Sequence, residues 1–218
     1  MTEENPPFEA VCERIAGDLA EQSYAMVDDF LTIEEVDSLL SRIRVLNNEG
    51  DLKEAGIGKA QQFQVNQEVR KDKIHWLDPK DDHAATRHVS DRLSILMRWI
   101  NRTCFLGLKD FEMHLTMYPK GAYYKRHLDQ FKANDHRRLT FLCYLNKNWT
   151  KEDGGLLRLY LRDTEQREKA LDIVPFAGRF VCFRSDLLEH EVLICHRERY
   201  SLTGWLLDQL NDVSFLKL

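Results

Sequence analysis

Hydrophobic positions recur at helical spacing in three segments of the first half of the chain. In the first segment, apolar residues lie at positions 8, 11, 15 and 19. The second begins after Thr32 and carries Val36, Leu39, Leu40, Ile43 and Leu46, and the third covers residues 84–104. Because residues three and four apart share one face of a helix, each segment predicts an amphipathic helix. Thr32, with Glu35 three residues later, predicts a capping box at the start of the second helix.

From about residue 110 the pattern changes to short apolar runs of the kind that form β-strands. Eight such runs are separated by turn residues: FEMHLTMY, YYKRHLD, RLTFLCYL, LLRLYL, ALDIV, RFVCF, HEVLI and RYSLTGWLL. Two earlier strands are predicted at YAMVDDFL (24–31) and KIHWLD (73–78). Many short strands are typical of a sandwich or jelly roll. Helices that precede them predict an α+β fold whose N-terminal helices pack on one sheet.

The length of 218 residues favours one domain with a sizeable core. We expect a disordered leader at residues 1–7 and a single domain at 8–218. Within that domain, helical support is expected at about 8–105 and the jelly-roll core at about 110–210. The polar segment 50–72 holds three of the ten glycines, which predicts a functional or disordered loop.

Composition argues against several classes of protein. No apolar run reaches the roughly 18–20 residues of a membrane helix, and the start, MTEENPPFEA, lacks a signal-peptide pattern. Five scattered cysteines without a C-x-x-C pair indicate free thiols in a reducing compartment. A formal charge of -5 disfavours a general nucleic-acid binder. We therefore expect a soluble, cytoplasmic protein that binds neither nucleic acid nor membrane.

Two potential metal ligands, His127 and Asp129, lie two residues apart in YYKRHLD. Alternate residues of a strand point to the same face, so these side chains are expected to project together. A second imidazole would complete a 2-His-1-carboxylate iron site, and His190 is the candidate. Taken alone, an H-x-D pair is more often solvated or salt-bridged on a surface strand.

The sequence after His190 supplies a candidate anion anchor. ICHRE predicts a turn that joins HEVLI to RYSLTGWLL in a hairpin, with Ile194 paired to Arg199 and His190 facing Thr203. Arg199 would then lie on the same face, roughly 13 Å from His190 at ~3.3 Å per residue. A guanidinium binds a carboxylate through two parallel hydrogen bonds. The segment therefore predicts a metal anchor and a carboxylate anchor for one short ligand.

This order of H-x-D, His and then Arg nine residues later resembles the 2-oxoglutarate- and Fe(II)-dependent dioxygenases. Within that superfamily the chain is most similar to the prolyl 4-hydroxylases of the hypoxia-sensor (PHD/EGLN, SM-20-like) type. The matching segments are VDDFL (27–31), RKDKIHW (70–76), YPKGAYYKRHLD (118–129), YLNKNW (144–149), GGLLRLY (154–160) and HEVLICHRERYSLTGW (190–205). The resemblance implies a double-stranded β-helix, or jelly roll.

The resemblance also implies which residues bind the cofactors. His127, Asp129 and His190 would bind Fe(II), and Arg199 with Tyr144 would bind the distal carboxylate of 2-oxoglutarate. These four residues, His127, Asp129, His190 and Arg199, are the predicted catalytic set. Further positions that line the cosubstrate pocket in the family match Tyr118, Thr203 and Leu157 here. A core role alone stays open for Tyr144 and Leu157. O2 is the co-oxidant, and ascorbate is a further candidate cofactor.

On the substrate side, Tyr124, Arg137 and Trp205 match residues around a prolyl-binding cleft. Arg70 and Asp72 match a mobile loop that closes over the peptide, although an exposed or purely structural ion pair is an equal alternative. The family often continues H-x-D with Asn-Pro, whereas this chain has Gln130-Phe131 and the longer KANDHRR segment. Target preference is therefore expected to be set there and in the 50–75 loop.

The implied activity is hydroxylation of a prolyl residue in a cytoplasmic protein. In similar members, a translation component such as elongation factor Tu is a plausible target. One alternative is a hydroxylase of a free amino acid or small metabolite that uses the same cofactors. A second alternative is a catalytically silent jelly-roll binding module. The sequence leaves the oligomeric state open.

Overall fold

The computed structural model describes residues 7–56, 66, 68–78, 80–130 and 136–210. Most of the expected leader, at 1–6, lies outside the described residues. The same holds for positions 57–65 and 67 of the polar loop, for residue 131 and for 132–135, the first four residues of the KANDHRR segment.

Three α-helices form where the apolar periodicity predicts them. They are α1 (Phe8–Gln22), α2 (Ile33–Glu49) and α3 (Ala84–Cys104). The predicted capping box is confirmed: the Glu35 amide donates to Thr32 Oγ1 at 3.3 Å, and the Thr32 amide donates to Glu35 Oε2 at 2.9 Å. Gly50 ends α2 in the left-handed region, with φ of 78°, a conformation that glycine adopts without a Cβ penalty. No helix in the described ranges is long and apolar enough to cross a membrane.

Eleven strands are found among the described residues, and all of their pairings are antiparallel. They are β1 (Tyr24–Val27), β2 (Lys53–Glu54), β3 (Lys73–Trp76), β4 (Asp110–Tyr118), β5 (Tyr124–His127), β6 (Arg137–Tyr144), β7 (Leu157–Arg162), β8 (Glu168–Ile173), β9 (Phe180–Arg184), β10 (His190–Val192) and β11 (Arg199–Leu207). A seven-stranded sheet has the order β1-β9-β6-β11-β4-β3-β2, and a four-stranded sheet has the order β5-β10-β7-β8. The α+β jelly-roll prediction is confirmed.

The large sheet has an apolar face towards the helices and a more polar face towards the small sheet. On β4, alternate residues Met113, Leu115 and Met117 join the main hydrophobic core, which also contains the buried faces of the helices. That core includes Ile15 from α1 and Leu96 from α3. The helices therefore cover one face of this sheet, as predicted, and the opposite face is left for the functional site.

The predicted hairpin between HEVLI and RYSLTGWLL is wrong. β10 lies in the small sheet between β5 and β7, whereas β11 lies in the large sheet between β4 and β6. The intervening backbone is bonded elsewhere, because the Cys195 amide donates to the Ala122 carbonyl and the His196 amide donates to the Asp153 carbonyl. Ile194 is consequently 57% exposed while Arg199 is fully buried, so the two do not pair. His190 and Arg199 approach the site from opposite sheets.

All five cysteines are described and none forms a disulfide, as expected. Burial raises the pKa of Cys12 and Cys195 to about 11. It also raises the pKa of Cys143 and Cys182 well above the ordinary value. These thiols therefore behave as small apolar core groups at neutral pH.

Candidate iron and cosubstrate site

Two histidines and an aspartate meet at one edge of the small sheet. Antiparallel pairing of β5 with β10 sets His127 directly opposite His190. Asp129 follows just beyond β5, which ends at His127. One ligand atom from each of the three lies within 4.8 Å of the others. Asp129 Oδ1 is 3.4 Å from His127 Nε2, and its Oδ2 is 3.4 Å from His190 Nε2. The predicted convergence is present, although strand pairing and the chain after β5 produce it rather than alternation along one strand.

Hydrogen bonds to the far side of each ring set the tautomers. His127 Nδ1 lies 2.7 Å from the Lys125 carbonyl oxygen, and His190 Nδ1 lies 3.3 Å from that of Leu188. A carbonyl can only accept, so each Nδ1 carries a hydrogen, and each Nε2 is the ring nitrogen that faces the cluster. Burial, followed by the neighbouring His127, lowers the pKa of His190 to about 4. The lowered pKa favours a neutral imidazole at His190, the form that binds a metal.

The carboxylate of Asp129 stays ionised inside the protein. Burial alone raises the pKa of Asp129, but His190, His127 and a hydrogen bond outweigh it and hold the pKa well below its usual range. That hydrogen bond comes from Thr140 Oγ1, 2.7 Å from Oδ2. Ser185 Oγ lies 2.9 Å behind Thr140 Oγ1. Two imidazoles and one fixed carboxylate form a donor set suited to non-haem Fe(II).

Arg199, at the start of β11, is fully buried and only partly satisfied. Its Nε donates to the Gly155 carbonyl at 2.8 Å. Its Nη1 and Nη2, together with Tyr144 Oη, have no hydrogen-bond partner in the part of the chain that the structure describes. The guanidinium carbon lies 5.0 Å from the ring centres of both Tyr118 and Tyr144. Burial raises the pKa of Tyr144 to about 12, so its hydroxyl is protonated and can donate.

Buried donors without acceptors are rare in folded proteins, because each loses its hydration without replacement. Here the donors Arg199 and Tyr144 converge from neighbouring strands, since Tyr144 lies beside Ser201 of β11 in register. A group with acceptor oxygens and negative charge is the ligand that satisfies them.

The other predicted pocket residues are distributed around these donors. Tyr118 lies opposite Arg199 in the β4–β11 register and is buried. Thr203 is half-buried on β11, with Oγ1 3.1 Å from Ser201 Oγ. Leu157, on β7, is buried in an apolar cluster with Tyr144 and Leu142. Tyr144 therefore has a core role and, in addition, a free hydroxyl, whereas Leu157 contributes only apolar surface.

A stack of side chains connects the polar loop to the candidate metal cluster. The ring of Tyr124 lies on that of His127, with centroids 3.6 Å apart and an interplanar angle of 19°. The guanidinium carbon of Arg70 lies 4.3 Å from the Tyr124 ring centre. Arg70 Nε and Nη2 donate to the two carboxylate oxygens of Asp72 at 2.7 and 2.6 Å. The pair is therefore structural and also lies beside the cluster.

Arg137 and Trp205 meet on the other side of the cluster. The guanidinium carbon of Arg137 lies 3.5 Å from a Trp205 ring centre. Arg137 also pairs with the buried Glu112, with Nε and Nη2 at 2.7 and 2.6 Å from Oε1. Trp205 neighbours Thr140 in the β6–β11 register. Because Thr140 bonds Asp129, this places Trp205 close to the candidate metal ligands.

Several residues of the site were not found from the sequence. They are Thr140, Ser185, Gly155, Glu112 and His114. The sequence could have indicated part of this set, because polar residues lie at every second position of β4 from Glu112 to Thr116. That alternation marks a polar face in a strand that is otherwise apolar.

Residues 113–207 match the family described as the 2OG-Fe(II) oxygenase superfamily. A crystal structure of a Pseudomonas putida prolyl-4-hydroxylase superposes with a TM-score of 0.79 and 37% identity, over 91% of this chain and 100% of that one. The chain belongs to the 2OG-Fe(II) oxygenase superfamily. The resemblance to its PHD-type prolyl hydroxylases is confirmed.

Two further relatives support this placement. A prolyl hydroxylase from Trichoplax adhaerens, solved in complex with a hypoxia inducible factor peptide fragment, has a TM-score of 0.82 and 26% identity, over 92% of this chain and 90% of that one. Hypoxia-inducible factor prolyl hydroxylase of Caenorhabditis elegans is 33% identical over 91% of this chain. The chain spans only 28% of the length of that relative and 62% of Egl nine homolog 1 from Rattus norvegicus.

Members of this superfamily use Fe(II), 2-oxoglutarate and O2. The residues present fit that requirement. The His127, Asp129 and His190 cluster supplies three donors of the correct type. The buried, unpartnered Nη atoms of Arg199 and hydroxyl of Tyr144 suit the far carboxylate of a dicarboxylic cosubstrate.

Proposed function

We propose that this protein is an Fe(II)- and 2-oxoglutarate-dependent prolyl 4-hydroxylase that acts on a prolyl residue of another protein. The main support for the proposal is that two kinds of binding group occur together inside the protein. A three-ligand metal cluster lies in the same interior as a fully buried guanidinium whose Nη atoms have no partner among the described residues. The prolyl hydroxylases among the similar proteins support the choice of substrate class.

In this proposal His127 Nε2, the Asp129 carboxylate and His190 Nε2 hold the metal. Arg199 pairs with the far carboxylate of 2-oxoglutarate, and the Tyr144 hydroxyl donates to it. Bound Fe(II) and 2-oxoglutarate together supply O2 activation and oxidation of the substrate carbon, with succinate and CO2 as the other products. Tyr118, Thr203 and Leu157 line the cosubstrate pocket. Their burial or half-burial keeps bulk water away from the charge pair, which strengthens it.

The proposed substrate cleft lies between two positively charged side chains that are already paired. Tyr124 and Trp205 offer the edges of their rings to a prolyl ring, because His127 and Arg70 stack on Tyr124 while His114 and Arg137 stack on Trp205. Asp72 holds Arg70 in position. An aromatic, largely desolvated cleft of this kind suits an apolar ring carried on a peptide.

We further propose that the target is a prolyl residue of a cytoplasmic protein, and elongation factor Tu is the first candidate to test. Hydroxylation of a free amino acid or small metabolite remains the second candidate, because the same metal and cosubstrate residues would serve it. Ascorbate is a further candidate cofactor from the family resemblance, so the succinate assay is run with and without it.

The test is anaerobic reconstitution with Fe(II), followed by O2 and measurement of succinate with and without prolyl peptides. Mass spectrometry of elongation factor Tu and of free proline then locates any added oxygen atom. We expect succinate coupled to hydroxyproline in protein or peptide. His127→Ala and Arg199→Ala should abolish coupled turnover, whereas the surface variant His88→Ala should not. Full turnover by either site variant would contradict the residue assignment, and oxidation of free proline alone would favour the second candidate.

A further inference from the structure

One face of β4 carries a row of polar side chains towards the space between the sheets. Glu112, His114 and Thr116 alternate with Met113 and Met117, which point into the helix-covered core. In the β4–β11 register, His114 lies opposite Thr203 and Glu112 lies opposite Trp205. The row therefore continues from the cosubstrate pocket, past Thr203, to the proposed substrate cleft.

Three buried polar atoms of this region have no hydrogen-bond partner in the described ranges. They are His114 Nδ1, Thr116 Oγ1 and Trp205 Nε1. The side chains are at least nine-tenths buried, with exposed fractions of 3%, 2% and 8%. The rings of His114 and Trp205 stack with centroids 5.4 Å apart. In the β4–β11 register, His114 lies four residues along the sheet from the Tyr118–Arg199 pair, with Thr116 between them and Trp205 further along.

Such atoms stay buried at a cost unless a ligand or water bonds to them. Their chemistry restricts the ligand. Trp205 Nε1–H can only donate, so the partner must offer an acceptor. Thr116 can donate or accept. Burial, and then the charges of Arg70 and Arg137, lower the pKa of His114 to about 3, so its imidazole is neutral at neutral pH.

The charged groups around these three atoms are already paired with one another. Arg70 binds Asp72, and Arg137 binds Glu112. Asp129 belongs to the metal cluster. Among the described residues, this region therefore offers hydrogen bonds without an unpaired charge. A free amino acid would bring an ammonium and a carboxylate into it, and both would lose hydration without gaining a counter-charge.

We propose that His114 and Trp205, with Thr116 beside them, form a neutral polar subsite that hydrogen-bonds the main-chain amide of a peptide substrate next to the target residue. This inference rests on the proposed function and specifies its substrate class. The Trp205 indole N–H donates to a peptide carbonyl oxygen, and the His114 imidazole bonds the adjoining amide. The subsite thus selects a residue inside a chain over the free amino acid.

The experiment compares two probes, N-acetyl-L-prolinamide and free L-proline. Binding is measured by saturation-transfer NMR on the whole 218-residue chain loaded with Zn(II) and 2-oxoglutarate, so no turnover is needed. The variants are His114→Leu, His114→Asn and Trp205→Phe. His114→Asn keeps a polar atom near the Nδ1 position, and Trp205→Phe removes the indole N–H together with part of the ring. His75→Leu is the matched control, because His75 neighbours Trp76 on β3 and bonds the Asp51 carbonyl instead.

We expect the wild-type protein to bind the blocked proline at least about 10-fold more tightly than free proline, which is the effect of one to two net hydrogen bonds. His114→Leu and Trp205→Phe should each weaken the blocked probe about 10-fold, while the affinity for 2-oxoglutarate stays within about 2-fold of wild type. His114→Asn should restore most of the affinity, and His75→Leu should bind as wild type does.

Equal binding of the blocked probe by wild type and His114→Leu would overturn the subsite, as would tighter binding of free proline. Failure of the proposed function has a different signature, namely no hydroxyproline in any protein or peptide from the wild-type iron enzyme. Hydroxyproline formation together with an unaffected His114→Leu variant would therefore overturn the subsite alone.

Discussion

Arg199 donates its Nε hydrogen to the carbonyl of Gly155 at 2.8 Å, and a Cβ atom on Gly155 would lie 2.9 Å from Arg199 Cδ. The same Cβ would lie 2.9 Å from Cys195 Sγ. Both neighbours are fully buried, so neither can move into solvent. We expect Gly155→Ala to displace the guanidinium and to raise the KM for 2-oxoglutarate by about 10-fold or more, since a displacement of about 1 Å can cost 100-fold.

Gly107→Ala is the matched control for that substitution. Gly107 has φ of 65° and Gly155 has φ of 60°, so both pay a similar penalty of about 1–2 kcal/mol for a left-handed alanine. No atom lies within 4 Å of a Cβ built on Gly107. Steady-state kinetics at varied 2-oxoglutarate should therefore separate the two variants. The same KM in both would show that backbone strain, and not the position of Arg199, is responsible.

Thr140→Val should weaken metal binding without removing a ligand. The hydroxyl of Thr140 donates to Asp129 Oδ2, and Ser185 Oγ lies next in line behind it. Thr140 has one hydrogen, which it gives to the carboxylate, so Ser185 must donate to Thr140. Loss of such outer hydrogen bonds typically costs about 10- to 100-fold in metal affinity. Calorimetric titration of the metal-free protein with Mn(II) should show this loss.

Thr140→Ser keeps the hydroxyl and should retain most of the Mn(II) affinity. Ser185→Ala leaves the Thr140–Asp129 bond intact but removes its support, so an intermediate effect is expected. Unchanged Mn(II) affinity in Thr140→Val would mean that the Asp129 carboxylate is held by the backbone alone.

Arg199→Met should keep or raise the stability of the ligand-free protein while it removes binding of 2-oxoglutarate. The guanidinium is fully buried, and its Nη atoms have no partner among the described residues. Replacement of a buried ion pair by apolar side chains of similar size is often neutral or stabilising by about 1–4 kcal/mol, and removal of Arg199 leaves no carboxylate unpaired among the described residues. We therefore expect the ligand-free variant to melt at the same temperature as wild type or higher.

Ligand addition then gives the contrasting result. With Mn(II) present, 2-oxoglutarate at 100 times its Kd should stabilise the wild-type protein by about 2.7 kcal/mol. Arg199→Met should show no such shift in thermal melting, while Mn(II) alone should stabilise both proteins. A wild-type-sized response to 2-oxoglutarate in the variant would contradict the assignment of Arg199 to the cosubstrate.

The sequence predicted features that depend on residues close together in the chain better than features that depend on distant residues. Helix bounds and the capping box of Thr32 and Glu35 depend on neighbours within one turn, and local patterns predicted them correctly. The candidate metal ligands could be selected from the sequence because His127, Asp129 and His190 combine metal-binding chemistry with an H-x-D spacing, and the structure brings the three together. The hairpin prediction failed because local strand signals at 190–194 and 199–207 contain no information about which sheet each strand joins.

The supporting residues were missed for a related reason. Thr140 and Gly155 are ordinary strand and turn residues until strand pairing brings them to Asp129 and Arg199. Their roles follow from contacts between residues 11 and 44 positions apart. Among these features, only the polar face that includes His114 could have been predicted from the sequence, because polar and apolar residues alternate along β4.

The final prediction concerns the ion pair of Arg70 and Asp72. The Asp72 side chain is fully buried and that of Arg70 is 13% exposed. Burial disfavours the charged guanidinium, but Asp72 outweighs this and raises the pKa of Arg70. Asp72→Asn would leave Arg70 charged and unpaired over the Tyr124 ring. Because an uncompensated buried charge is strongly destabilising, we expect a loss of about 3 kcal/mol in the free energy of unfolding.

A double variant separates the charge from the packing. Arg70→Met with Asp72→Leu removes both charges and keeps apolar contact with Tyr124, so it should be destabilised by less than Asp72→Asn alone. Urea unfolding measures both values, and peptide KM measures the functional effect. Tyr124 stacks directly on His127. Loosening Arg70 in Asp72→Asn, or removing it in the double variant, should therefore raise the peptide KM while the Mn(II) affinity changes little. If peptide KM follows stability instead, with the double variant close to wild type, then the pair acts on the substrate only by holding the fold together.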